Sequence, residues 1–261
     1  MNRKIDRLIK LTGITLFAVL VNPSFGALSI MPSRIEGKIP PGKSYENEFT
    51  ITNTDSQTNM AKFMWTDRTK KPSDKNWFQI LTKEAKIPAG GTVKVKYKID
   101  IPEGAQGEYN AYFTVEDGKP VGNVMGASVA LRTSVPVYIA VRGTEKYSFE
   151  IGDITVANGN MPMVKVILRN TGNIHIRPEG KIMIKKEGSD ESFELPFNDI
   201  KWGIIEGEQN DYITKLPKDK KFTDGQYTAS LSIEAGEEDN IVKQSKEFRF
   251  TVQGTKASLL K

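Results

Sequence analysis

Between Val129 and Val141 the chain alternates with a period of two. The odd positions are Val129, Leu131, Thr133, Val135, Val137, Ile139 and Val141; the even ones are Ala130, Arg132, Ser134, Pro136, Tyr138 and Ala140. That period gives a β-strand with one continuous apolar face. At about 13 residues the stretch is more than twice the usual strand of roughly five or six. Pro136 has no N–H to give to a ladder, which places the strand at a sheet edge or a bulge. A long apolar edge in the middle of a two-part chain is a surface to which another strand can be added. The plainer expectation is a sandwich strand running into an interdomain linker.

The first half of the chain shows no helix-period run, and the chain has no cysteines. An exported fold without cysteine has no disulfides, thiolate nucleophile or thiolate metal site, so its stability must come from apolar cores. Export is expected from the first 26 residues: Arg3, Lys4, Arg7 and Lys10 precede an apolar run from Leu11 to Val21 that is too short to span a bilayer, and Ser24 and Gly26 are small residues suited to cleavage. Cleavage after Gly26 or Ala27 would leave 33 basic against 31 acidic residues in place of 37 against 32, so the net charge falls from +5 to about +2. Charge therefore implies no nucleic-acid partner. No later stretch is apolar enough to span a membrane, so no stable membrane insertion is expected.

The remaining chain reads as two copies of one plan. Phe49-Thr50-Ile51-Thr52-Asn53-Thr54 parallels Val166-Ile167-Leu168-Arg169-Asn170-Thr171, and Gly107-Glu108-Tyr109-Asn110-Ala111 parallels Gly225-Gln226-Tyr227-Thr228-Ala229. Matched spacing of the two landmarks points to related domains. Asn-Thr after an alternating strand is turn chemistry, because the Asn side chain can bond its own backbone two residues on. Gly-x-Tyr-x-Ala opens a strand.

Strands are expected at Ser29–Ile35, Tyr45–Thr52, Ala61–Thr66, Phe78–Leu81, Thr92–Ile99 and Tyr109–Val115, then at Phe149–Val156, Met163–Arg169, Gly180–Lys185, Phe193–Leu195, Asp211–Lys215, Tyr227–Ile233 and Glu247–Val252. The fold class is all-β: two immunoglobulin-like antiparallel β-sandwich domains in tandem, residues 27–143 and 147–254. Arg142 to Lys146 form a short boundary, and residues 255–261 a flexible tail.

Catalytic chemistry is sparse. His175 is the only histidine, flanked by Ile174 and Ile176, and is expected to be structural. There is no phosphate loop, nucleophile elbow or calcium loop, so no cofactor, metal or enzymatic activity is expected. Trp65 sits in an alternating strand and is expected in the core. Trp77 and Trp202 lie beside loops and could be buried or offered to a sugar or a peptide.

Pro32-Ser33-Arg34-Ile35, Ile51-Thr52-Asn53, Trp65, the Ile87-Pro88-Ala89-Gly90 turn and Ala130-Leu131-Arg132-Thr133 resemble the periplasmic pilus-assembly chaperones. The resemblance implies strand lending to an incomplete sandwich through Val129, Leu131, Val135, Val137 and Ile139. It also implies a carboxylate anchor on two basic cleft residues. Arg34 matches the first of these; the second position falls on Pro136, with Arg132 the nearest cation. Asn170 to Gly180 resembles a turn of sandwich modules in bacterial surface proteins, where Asn and Gly supply unusual backbone angles.

The expected function is an exported, non-enzymatic, pilus-chaperone-like module, located in the periplasm or at the cell surface. It would bind a pilin-like or surface subunit through Arg34, Val129, Leu131, Arg132, Val135, Val137 and Ile139. A cell-surface adhesion or scaffold protein is the alternative, and a carbohydrate-binding accessory protein a third reading.

Overall fold

The computed structural model describes residues 28–68, 77–118, 123–124, 127–128, 131–237 and 240–260. The expected signal segment, residues 1–26, lies outside them. The chain forms two β-sandwiches in tandem. The first contains β1 (Leu28–Met31), β2 (Ile35–Ile39), β3 (Ser44–Asn53), β4 (Asn59–Asp67), β5 (Phe78–Ile80), β6 (Glu84–Ile87), β7 (Thr92–Asp100), β8 (Glu108–Asp117), β9 (Asn123–Val124), β10 (Ala127–Ser128) and β11 (Arg132–Val141). The second contains β12 (Phe149–Ala157), β13 (Met163–Asn170), β14 (Glu179–Lys186), β15 (Ser192–Phe197), β16 (Gln209–Lys215), β17 (Gly225–Ala235), β18 (Val242–Gln253) and β19 (Lys256–Leu260).

In the first sandwich a four-stranded sheet, β1-β3-β7-β5, faces a five-stranded sheet, β2-β11-β8-β4-β6. In the second, β12-β13-β16 faces β15-β14-β17-β18-β19. Pleat alternation decides what each strand buries. Along β7, Val95, Tyr97 and Ile99 are buried while Lys94 and Lys96 stay outside. Along β17, Tyr227, Ala229, Leu231, Ile233 and Ala235 are buried. Phe49 stacks on Phe113 at 3.9 Å in the first core, and Tyr227 on Phe250 at 4.9 Å in the second. Trp65 packs edge-on against Phe49, Tyr97 and Phe113 beside the first core.

The two Asn landmarks do the same work in both copies. Asn53 is fully buried; it donates to the carbonyls of Gln57, Ile87 and Pro88 at 2.8, 3.0 and 3.1 Å, and accepts from Asp55 N at 3.0 Å. Asn170, equally buried, donates to Ile174 and Ile204 carbonyls at 2.7 and 2.9 Å and accepts from Gly172 N at 2.9 Å. Each side chain bonds the backbone two residues on and stitches loops from opposite sheets together.

Three features depart from the expected layout. The opening strand is split at Pro32: β1 pairs antiparallel with β3, and the chain then crosses to the other sheet, where β2 runs parallel to β11. A proline cannot continue a ladder, and the break lets one segment serve both sheets. Glu84–Ile87 is an unanticipated edge strand on β4. The expected flexible tail is instead β19, paired with β18 from Arg249↔Leu260 to Gln253↔Lys256, with Ala257 packed on the second core. Gly254, at φ 57°, makes the hairpin that returns it.

Tyr212 in β16 couples this core to alkaline pH. Burial pushes its phenol up to about 12, against a weaker opposing hydrogen bond with Asn210. The unfolded chain ionises this group near 10 and the folded chain near 12, so its stabilising contribution is complete below pH 10 and lost between 10 and 12. Denaturant midpoints measured at pH 9.5 and 11.5 should fall with pH, and less steeply in Tyr212→Phe; equal slopes in the two proteins would contradict this assignment.

Candidate functional site

β11 is interior for half its length and an edge for the rest. From Val137 to Val141 it lies between β8 and β2, with Val137 opposite Ile35 and Val141 opposite Ile39. From Arg132 to Pro136 it is paired with β8 alone among the described residues. Leu131 O accepts from Asp117 N at 2.9 Å, and Val141 N donates to Gly107 O at 2.8 Å, so odd-numbered residues aim their backbone groups at β8. Even-numbered residues aim theirs the other way, as the 2.9 Å bond from Arg142 N to Ile39 O shows. The main-chain groups of Arg132 and Ser134 therefore point off the sheet. Pro136 lacks an N–H on that same open side, so it costs no bond to β8.

The apolar side chains of this strand are already used. Val135, Val137 and Ile139 are 4%, 0% and 1% exposed and belong to the first core. The expectation that they meet a partner is corrected accordingly: the alternating face is the inner face of the chain's own sandwich. Val129 lies outside the described residues. Leu131 is exposed; Arg132 is exposed too and makes a forked ion pair with Glu116 on β8, at 2.7 and 2.6 Å.

Arg34 precedes the Ile35↔Val137 pair by one residue, which sets it level with Pro136 at the inner end of the open edge. Its Nε lies 3.0 Å from Glu36 Oε1. Glu36 also receives the Arg177 guanidinium from the second sandwich. A further cation stands close by: Arg68, just past β4, lies over Tyr112 and Tyr138 at 5.6 and 5.3 Å from their ring centroids, and donates to the Tyr138 hydroxyl. Tyr112 is the β8 partner of Pro136. No carboxylate pairs with Arg68 among the described residues, and its guanidinium lies against aromatic faces.

The two domains meet on this corner through a latch. Asn173 O accepts from Glu108 N at 2.9 Å, its Nδ2 donates to Thr144 O at 2.8 Å, and its Oδ1 accepts from Lys146 N at 2.6 Å. The Glu108 carboxylate accepts from His175 N at 3.0 Å and contacts His175 Nδ1 at 2.5 Å. Arg177 sits 2.8 Å from His175 Nε2; a guanidinium only donates, so in this contact Nε2 accepts, and Nδ1 faces Glu108. The ring lies against Tyr138, tilted by 32°, with centroids 4.3 Å apart. Lys38 adds ion pairs to Glu237 at 3.0 Å and Glu145 at 3.7 Å, and its hydrogen bond with Glu237 raises its pKa. A cavity of about 150 Å³ remains between Lys38, Tyr138, Tyr147 and His175.

Gly107 and Gly172 allow this approach. A Cβ on Gly107 would lie 2.9 Å from Asn173 O, and one on Gly172 would lie 2.2 Å from Lys146 O. His175 is thus structural, as expected, but its work is between domains, and the turn from Asn170 is the piece that docks. Sequence reading missed Glu108, Glu36, Arg177 and Arg68. One signal was present: Glu108 occupies the landmark position that in the second copy is the exposed Gln226. A buried charge in place of an exposed amide asks for a partner.

Of the remaining tryptophans, Trp77 packs on Tyr109 at 3.9 Å, while Trp202 is 64% exposed. Among the described residues no group of three or more His, Cys, Asp or Glu side chains is placed to hold a metal ion, and no helix is long and apolar enough to cross a membrane.

The solved structures that this fold resembles include proteins described as chaperones. A chain from a chaperone–tip adhesin complex of CFA/I fimbriae biogenesis matches with a TM-score of 0.48 at 13% identity, over 85% of this chain and 99% of that one. The YadV chaperone matches with a TM-score of 0.46 at 12% identity, over 85% and 100%. The E. coli chaperone DraB matches with a TM-score of 0.44 at 11% identity, over 84% and 95%. These likenesses concern the fold. No family model and no curated protein matches the chain.

Proposed function

We propose that the chain is an exported, non-enzymatic protein-binding module, similar to the pilus chaperones, that receives a strand of another exported or cell-surface protein along Arg132–Pro136. The observation that carries this reading is the pair of outward main-chain positions at Arg132 and Ser134, next to a corner lined by Arg34, Arg68 and Arg177. Outward N–H and C=O groups on a fixed strand bind an extended segment sequence-tolerantly, through backbone bonds. The arginines give that segment a polarity, because a carboxylate at its end can be held in a fork. In this arrangement Arg68 supplies the cation that Pro136 cannot, and Arg132 remains with Glu116.

Affinity along such an edge comes from main-chain bonds, so the informative substitution removes one of them without touching the core. Ser134→Pro deletes the outward N–H and leaves the bonds to β8 in place. Ser134 Oγ also bonds Thr114 Oγ1 at 2.8 Å, so Ser134→Ala controls for that loss. Co-purification of the partner from the native envelope is expected to fall at least tenfold in Ser134→Pro and to change little in Ser134→Ala, since each bond of this kind contributes about 1 kcal/mol and the blocked edge loses its neighbours too. Undiminished recovery with Ser134→Pro would rule out strand addition at this edge.

A further inference from the structure

The second sandwich carries an apolar tip that its own fold does not use. Between β15 and β16, Ile200 and Trp202 are 66% and 64% exposed. They are not on a loose loop. Asn198 is buried and donates to Pro178 O at 2.7 Å and Trp202 O at 3.0 Å, while its Oδ1 accepts from Trp202 N at 3.0 Å. Tyr212 Oη donates to Trp202 O at 3.0 Å, and Asn210 Nδ2 to Gly203 O at 3.1 Å. Asn198 and Lys201 both adopt φ 54°, a left-handed conformation that costs side-chain-bearing residues energy and persists only where surrounding bonds impose it. Five hydrogen bonds thus hold a strained turn in one shape, and that shape turns two large apolar side chains to solvent.

Its position matters as much as its build. A Cβ on Gly203 would lie 3.5 Å from Arg177 Cγ, and the Arg177 guanidinium rests on Glu36 beside Arg34. Gly203, the residue after Trp202, therefore borders the arginine corner at which the open edge ends. Among the described residues that edge runs from Arg132 to Pro136, roughly 17 Å of strand, whereas a stable interface covers roughly 800 Å² per side. Interfaces of that size are anchored by a few buried aromatic side chains.

We propose that Ile200 and Trp202 form a second contact for the same partner, covering an apolar surface that flanks its added strand. This inference rests on the strand-addition reading, which fails separately from it in the following experiment. The photo-reactive residue p-benzoylphenylalanine is placed at position 134 or at position 200 of the full chain in its native envelope, and the covalent adducts are identified by mass. The same protein cross-linked from both positions is the expected result, together with at least a tenfold loss of the position-134 adduct in Trp202→Ala, whose thermal unfolding stays that of the parent because the side chain is exposed. An adduct at 134 with a different protein, a lipid, a glycan or nothing at 200 overturns the second contact and leaves strand addition standing. No adduct at 134 overturns both.

Discussion

Replacing Val137 by aspartate is expected to unfold the first sandwich, not merely to release a partner. Val137 has no exposed surface and is paired on both sides, with Ala111 of β8 and Ile35 of β2. The substitution removes roughly 1.5–3 kcal/mol of apolar burial and adds a carboxylate with no partner in the core, which costs several kcal/mol more. Together these approach the roughly 5–15 kcal/mol that holds an ordinary domain folded. Calorimetry should show the first domain's transition lost and the second domain's retained. Thr133→Asp, four residues earlier on the exposed end of the same strand, should leave both transitions in place. A Val137→Asp chain with an unchanged first transition would contradict the placement of this face in the core.

Gly172→Ala is expected to free the two sandwiches from each other while leaving each folded. The added methyl would sit 2.2 Å from Lys146 O and 2.9 Å from Ser148 N, both backbone atoms of the segment that leads into β12, so no side chain can swing away to accept it. The turn must instead lift off that segment. Doing so breaks the bonds from Thr171 N and Gly172 N to Ser148 O and from Asn173 N to Lys146 O, each about 3.0 Å. With the turn go Asn173 and His175, and with them the latch on Glu108. Each of these bonds contributes about 1 kcal/mol, and Glu108 left buried without its partner costs about 1–3 kcal/mol more. Small-angle scattering should report a larger radius of gyration, and proteolysis within residues 142–147 should accelerate at least tenfold. A scattering profile superimposable on the parent's would show that the turn does not set the interdomain angle.

The strands and turns were legible because they follow from local rules. Alternation located the longer strands of both sandwiches but not β2, β6, β9, β10 or β19, and the chemistry of Asn53 and Asn170 anticipated bonds to Asp55 N and Gly172 N. The functional surface was less legible, for two physical reasons. Alternation in β11 shows that one face is apolar but not what covers it; the chain's own core and a partner's groove demand the same Val135, Val137 and Ile139. The cleft, moreover, is assembled from distant pieces. Glu108 and His175 are 67 residues apart, and Glu36 and Arg177 are 141 apart, separations at which no spacing rule operates. The parallel course of β2 against β11 is of the same kind, since only the crossing at Pro32 brings Arg34 beside Pro136. Arg68 escaped notice because its role depends on Tyr112 and Tyr138 lying next to each other on neighbouring strands.

The open edge itself can be observed directly by amide hydrogen exchange resolved to single residues. In the isolated chain the amides of Arg132 and Ser134 are expected to exchange fast, while those of Thr133 and Val135, which face β8, are slow. With the partner identified through position 134 added in excess, Arg132 and Ser134 should slow at least tenfold while Thr133 and Val135 change little. Unchanged exchange at Arg132 and Ser134 in the complex would contradict strand addition at this edge.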